Sequence, residues 1–294
     1  RHVAKKGGVL VGFHERGSSY VADMHGCDVM PPRIATLIDP LRAFLAALDM
    51  RERMPQIEVA LGKVETGEVL ALVFRVLEPP TPADREALIA FARTHRFELW
   101  LQPKGPDTVH LVWAPHDDGA QTPASRLAYT LPEFDVRMPF RPTDFTQVNH
   151  RVNEMLVGHA LRLLEPQPTD RIADLFCGLG NFSLPLARRA RAVVGVEGSA
   201  ALVARATENA RANGLSERTD FQVANLFELD DARWRALGPF ESIGIACFGP
   251  LDPTPGSPTY GNILPTPKPG WSGADVLGFF SRRLNLPIGF DTDV

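Results

Sequence analysis

Residues 174–182 read Asp-Leu-Phe-Cys-Gly-Leu-Gly-Asn-Phe. An apolar strand, Arg171–Phe176, runs into a loop with two close glycines, and a helix, Phe182–Ala190, opens straight after it. The next apolar run, Ala192–Val196, ends at Glu197, 19 residues beyond Gly178. Gly178 and Gly180 lack side chains, so the backbone there can turn sharply and approach a ligand closely. A carboxylate at the end of the second strand can accept hydrogen bonds from both hydroxyls of a ribose. Strand, glycine loop, helix, strand and acidic residue together imply a site for a nucleoside-containing cofactor.

Working outward, a helix (Val152–Leu164) precedes this unit, and a helix (Ala200–Asn213) and a strand (Thr219–Val223) follow it. The β-α-β-α-β alternation predicts a parallel sheet with helices on its faces, and ligands in such sheets bind beyond the C-terminal strand ends. Asn213-Gly214 is a good helix stop. The third glycine of the dinucleotide fingerprint is replaced by Ser183. That glycine packs a helix beneath a pyrophosphate, which S-adenosylmethionine does not have, so S-adenosylmethionine is the cofactor expected. A Gly-x-Gly loop can also be a mere tight turn.

The first half has a different texture. Val9–Phe13 and Ser19–Met24 read as strands around a turn at His14–Ser18. A helical stretch begins at Pro32, with a break or kink expected at Pro40. Ile57–Gly62 and Val69–Val76 form a hairpin around Glu65–Glu68, a helix spans Pro82 to His95, and Glu98–Gln102 and Val109–Trp113 are short strands. Asp117–Ser125 is a polar loop. The chain has 294 residues, enough for about two domains, with 44% hydrophobic and 22% charged residues and a net charge of −4. That balance argues against a basic carpet for nucleic acid, though not against a local basic site. Three scattered cysteines imply no disulfide framework and fit a reducing cytoplasm. No apolar run is long enough to span a membrane.

Four stretches go further: Lys5-Lys-Gly-Gly-Val-Leu-Val-Gly-Phe-His-Glu15, Gln102-Pro-Lys-Gly-Pro-Asp107, Pro142-Thr-Asp-Phe-Thr-Gln-Val-Asn149 and Asp174–Phe182. Together they resemble the RNA uracil-C5 methyltransferases, most closely the iron–sulfur branch acting on 23S ribosomal RNA. The resemblance covers residues 1 to about 235. It implies S-adenosylmethionine contacts at Gln147, Phe176, Asn181, Glu197 and Asn225, beside the glycines Gly178 and Gly180. Taken alone, Gln147 and Asn225 read as ordinary loop caps. The implied fold class is α/β: a Rossmann-like methyltransferase sheet, truncated, after an α+β domain. The implied domains are 1–135 (RNA-contacting), 136–240 (cofactor-binding) and 241–294. The partner implied is 23S rRNA; no protein partner is implied. Lys5, Lys6, Arg16, Lys104 and Arg141 are possible phosphate contacts, with solvated surface charge as the default.

The family's chemistry needs a cysteine thiolate that adds to C6 of uracil and a carboxylate that removes the C5 proton. Both lie, in the family, beyond an Asp-Pro-Pro-Arg-like turn after the fourth strand. Here the fourth strand, Ser242–Phe248, runs into Gly249-Pro-Leu-Asp252 and no such segment follows. Cys177 and Cys247 read as packed thiols rather than nucleophiles. Cys27 matches the fourth ligand of the family's 4Fe–4S cluster. The other three would lie before Arg1, so no cluster and no methyl transfer are expected of this chain. Both ends read as cut.

Ile243-Gly-Ile-Ala-Cys-Phe-Gly-Pro-Leu-Asp252, Ser257-Pro-Thr-Tyr-Gly261, Thr266-Pro-Lys-Pro-Gly-Trp271 and Gly289-Phe-Asp-Thr-Asp-Val294 resemble fructokinases of the ROK sugar-kinase family. By that resemblance Asp293 would be the base for ATP-dependent sugar phosphorylation; otherwise it caps a turn. The expectation is a chimera joined near Leu237-Gly-Pro-Phe-Glu241. Ser242–Phe248 would add to the parallel sheet, and the sheet's uncovered side would expose apolar surface.

Overall fold

The computed structural model describes residues 2–3, 8–116, 123–225, 237–247, 249–284 and 286–292. Two short strands, β1 (His2–Val3) and β2 (Gly8–Val9), pair antiparallel at the start. The hairpin expected at 9–24 shrinks to one bridge, His14 to Val21, with Ala22 N–H donating to Phe13 O at 2.9 Å. The helical stretch divides into α1 (Pro32–Ala35) and α2 (Ile38–Ala47). The break thus falls ahead of Pro40, not at it. Pro40 lies in the first turn of α2, where a backbone N–H has no helical acceptor to lose.

A mixed sheet follows. Strands β3 (Gln56–Val64) and β4 (Gly67–Arg75) form a hairpin in which Val64 pairs with Gly67. Helix α3 (Pro82–His95) then crosses over to β5 (Glu98–Gln102), parallel to β4. Thr81 caps α3 by accepting the Asp84 N–H at 3.1 Å. Strands β6 (His110–Trp113), β7 (Ala128–Leu131) and β8 (Val136–Pro139) complete the order β6-β5-β4-β3-β7-β8. Residues 70–74 of β4 are all buried, as befits a strand covered on both faces. Leu70, Leu72 and Phe74 pack with Leu41, Leu45, Leu88 and Ala92 from α2 and α3. Ala71 and Val73 face the opposite way, toward Trp100 and Tyr129.

The β7–β8 hairpin is absent from the sequence expectation. Each strand is four residues long, too short to show a period, and the turn uses Asp135 at a positive φ of 49°. It is nevertheless the joint of the molecule. Tyr129, Leu131, Met138 and Phe140 share one core with Val157, Leu161, Leu184, Leu186 and Val193. Burying each such side chain contributes roughly 1.5–3 kcal/mol.

Those latter residues belong to the parallel unit. Helix α4 (His150–Leu164) leads to β9 (Arg171–Leu175), α5 (Ser183–Arg189), β10 (Ala192–Glu197), α6 (Ala200–Ala212) and β11 (Thr219–Val223). The strands are parallel in the order β11-β10-β9. Asn213, past the end of α6, accepts the Arg137 N–H at 2.8 Å and donates to Arg137 O at 2.7 Å, clamping β8.

Toward the C-terminus, β12 (Ile243–Cys247) does not join this sheet as expected. It pairs in parallel with β13 (Ile288–Thr292), reached through α7 (Val276–Leu284), as a β-α-β unit of its own. Among the described residues β9 therefore borders only β10. Apolar surface is exposed along α4 and the loop before it: Phe145, Val148, Val152, Met155 and Leu163, with Val148 91% exposed.

Strand β7 meets β3 at a single pair, Lys63 with Tyr129. Gly62 makes this possible, since a Cβ there would lie 2.5 Å from Ala128 O and 2.9 Å from Ala128 N. The obstacle is backbone and cannot swing aside. Gly62→Ala is expected to lower the free energy of unfolding by about 1–3 kcal/mol, read by urea denaturation. An unchanged midpoint would show that the β3–β7 contact is loose.

Candidate functional site

The loop between β9 and α5 is bent by three left-handed residues: Phe176 at φ 60°, Gly178 at 54° and Gly180 at 90°. For the phenylalanine this backbone is strained, and such outliers persist only where the surroundings hold them. Here Cys177 N–H donates to Val196 O at 3.2 Å, and Gly180 N–H to Cys177 O at 2.8 Å. Asn209, buried on α6, donates to Leu179 O at 3.2 Å. A Cβ on Gly178 would meet nothing within 4 Å, so the face above it is open.

Glu197 stands at the end of β10. Its Oε2 accepts the Gly178 N–H at 3.2 Å and its Oε1 accepts the Ser199 N–H at 3.0 Å. The carboxylate thus ties the glycine loop to the start of α6. Ala224 N–H donates to Glu197 O at 3.0 Å, which sets Asn225, exposed, beside the same strand end. Asn181 is held inward: its Oδ1 accepts from Tyr129 Oη at 2.8 Å and from Asn153 Nδ2 at 3.0 Å. Phe176 is 61% exposed. Phe176, Gly178, Gly180, Asn181, Glu197 and Asn225 therefore meet at the C-terminal end of the parallel sheet. Gln147 sits exposed on the loop before α4. That loop is anchored by Asp144, 3.5 Å from Arg205 on α6, and by Asn149, whose side chain caps α4.

Beneath the loop lies a second carboxyl that the sequence reading left without a role. Asp174 accepts from Ser183 Oγ at 2.5 Å. Burial pushes its pKa up to about 6; the hydrogen bonds from Ser183 pull the other way, and the Glu197 charge adds to the rise. Ser183, at the place of the missing glycine, thus serves as the donor that closes the loop. Burial also pushes the Cys177 thiol far above its ordinary range, helped by Asp174 and Glu197. A thiol so held is not a nucleophile. Tyr129 and Asn153 carried no signal in the sequence, because they reach Asn181 from 52 and 28 residues away.

One expected residue, Cys27, stands apart. Cys27 is partly buried in the segment before α1. Nearby His25 lies 2.8 Å from Asp39 on the surface. Among the described residues no group of three or more His, Cys, Asp or Glu could hold a metal ion. A 4Fe–4S cluster takes about four thiolates, whereas the chain has three cysteines, one of them the buried Cys177. The residues present do not fit that group. Asp293 lies outside the described residues, as do Lys5 and Lys6.

The family model described as tRNA (Uracil-5-)-methyltransferase matches residues 128–226. The chain is 57% identical over 241 residues to the 23S rRNA (uracil(1939)-C(5))-methyltransferase RlmD of Cupriavidus necator, covering 82% of this chain and 52% of that protein. It is 59% identical over 241 residues to the protein of the same name from Burkholderia pseudomallei, covering 82% and 49%. The chain spans about half the length of the curated relatives it matches. Among solved structures, the Pyrococcus abyssi tRNA (uracil-54, C5)-methyltransferase in complex with S-adenosyl-L-homocysteine aligns with a TM-score of 0.56 at 17% identity, covering 81% of this chain and 56% of that one. That likeness shows the fold alone, a mixed α/β fold. The sugar-kinase resemblance and the chimera inferred from it gain no support from these comparisons.

The desolvated Asp174 carboxyl sets a pH dependence. The folded carboxyl keeps its proton up to about pH 6, whereas an ordinary one releases it near 3.8. Between those values the folded state binds the extra proton, so this group's contribution to stability is fully present below about pH 4 and is lost as pH rises through about 6. Asp174→Asn removes the buried charge and is expected to stabilise the fold at about pH 7.5 by on the order of 2 kcal/mol. That gain should vanish by about pH 4 in urea unfolding. A difference that does not change with pH would contradict the assignment.

Proposed function

We propose that this chain carries the cofactor-holding part of an enzyme that methylates C5 of a uridine in 23S ribosomal RNA with S-adenosylmethionine. The observation that carries the reading is Glu197, fixed at a parallel strand end by the Gly178 and Ser199 N–H groups beside an open glycine loop. The names and identities of the curated relatives support the substrate.

The residues present fit the cofactor. A carboxylate has about four acceptor positions, and Glu197 uses one on each oxygen for backbone, so each keeps one for a ribose hydroxyl. Phe176 offers an exposed ring for the adenine face, and Asn181, Asn225 and Gln147 supply amides for the polar edges and the amino-acid end. When bound, S-adenosylmethionine supplies an electrophilic methyl group on a sulfonium. The chain's part is to fix that group's orientation, which lowers the entropic cost of reaction. The thiolate addition and proton removal are assigned to no residue here: Cys177 is buried with a raised pKa. On this reading the chain binds the cofactor and by itself transfers no methyl group. Arg16, Lys104 and Arg141 are exposed and available to phosphate. Among the described residues no helix is long and apolar enough to cross a membrane. A ribosomal RNA substrate supports a cytoplasmic location.

Titration calorimetry with S-adenosylhomocysteine tests the reading. One saturable site is expected, weakened at least about tenfold in Glu197→Ala, the loss of hydrogen bonds to a charged acceptor. Absence of binding by the unmodified chain, or equal affinity in the variant, would overturn it.

A further inference from the structure

Tyr129 belongs to the six-stranded sheet, yet its hydroxyl donates to Asn181 in the cofactor loop at 2.8 Å. Asn153 on α4 closes the arrangement. Its Nδ2 donates to Asn181 Oδ1 at 3.0 Å, and Asn181 Nδ2 donates back to Asn153 Oδ1 at 2.8 Å. This reciprocal pair fixes which way each carboxamide faces, because a flip would set donor against donor. The tyrosine hydroxyl, which can donate or accept, donates to Asn181 Oδ1 in the orientation that the asparagine pair sets. One N–H of Asn181 is used by Asn153, and the second is directed by the first.

The parts that hold this network are closely packed. Tyr129 is 3% and Asn153 2% exposed. The Tyr129 ring stacks on His150, centroids 5.7 Å apart, and tilts against Phe140 at 5.9 Å. His150 in turn is bound to Leu61 O on β3 at 2.7 Å. Tyr129 is therefore clamped between β3 and α4, and it presents one polar atom to one loop residue.

Resting on the cofactor reading above, we infer that Tyr129 and Asn153 are positioning residues that set the Asn181 amide for the cofactor and so couple the six-stranded sheet to the cofactor loop. Buried carboxamides left without partners would be costly, so the network forms as a unit. A shift of the six-stranded sheet that moved Tyr129 would release Asn181, and cofactor binding would hold the sheet in place by the same coupling.

The test is a double-variant cycle in the full chain, with S-adenosylhomocysteine as probe and titration calorimetry as readout. Tyr129→Phe keeps the ring and its packing and removes only the hydroxyl. It should weaken binding about three- to tenfold, the range for one neutral hydrogen bond. Asn181→Ala should weaken it at least as much. In the Asn181→Ala background, Tyr129→Phe should change the affinity less than about twofold, because its target is gone. A merely structural tyrosine would give independent, multiplying losses, and that result would overturn the inference. So would an unchanged affinity in Tyr129→Phe alone; both outcomes leave the cofactor reading standing, since the unmodified chain still binds. No binding by the unmodified chain removes the cofactor reading and the inference together. Urea unfolding shows that each variant is folded. If Asn181→Ala does not fold, Asn181→Ser serves as the background.

Discussion

The site depends on one carboxylate held by two backbone amides. Glu197 joins the loop after β9 to the start of α6, across the end of β10. The loop could not approach it without Gly195, one strand position earlier on the same face. A Cβ on Gly195 would come within 3.0 Å of Cys177 Sγ and 2.5 Å of the Phe221 ring. The packing of Phe221 and Cys177 against a bare strand lets the left-handed turn at Phe176–Gly180 settle onto the sheet end. The strained phenylalanine backbone is thus maintained by its neighbours, and the open face above Gly178 results from that shape.

Two carboxyl groups share this strand end and their surroundings set them apart. Asp174 is half-buried under the loop, with Ser183 as donor, and desolvation raises its pKa. Glu197, of similar exposure, is held by backbone N–H groups instead, one on each oxygen. One carboxyl shapes the turn from below; on the proposed reading the other receives the cofactor from above. The same low-dielectric pocket keeps the Cys177 thiol inert.

The parallel unit was legible because its signals are local. Residues 171–223 alternate strand and helix with caps and glycines where the geometry requires them, and the observed ends of β9, β10, α6 and β11 differ from the reading by a residue or less. Glu197 and the glycines stood out as candidates for the same reason. What was missed is long-range. The β7–β8 hairpin has strands of four residues and gains its stability from the core it shares with α4 and α5. Tyr129 and Asn153 act through contacts that no spacing encodes. Strand β12 reads as apolar from sequence, but its partner was a matter of competition, and β13 won it. Asp174 stood in the quoted motif itself; only its burial and the Ser183 contact disclose what it does.

The central claim is that a nucleoside cofactor sits on the Glu197 carboxylate beside the glycine loop. Amide nuclear magnetic resonance of the chain with S-adenosylhomocysteine addresses it directly, since the two N–H groups on that carboxylate are reporters. The account predicts that the Gly178 and Ser199 amides move most, with Gly180 and Asn225 close behind, while amides of β12 and β13 stay still. Saturable shifts that leave Gly178 and Ser199 unmoved would contradict it.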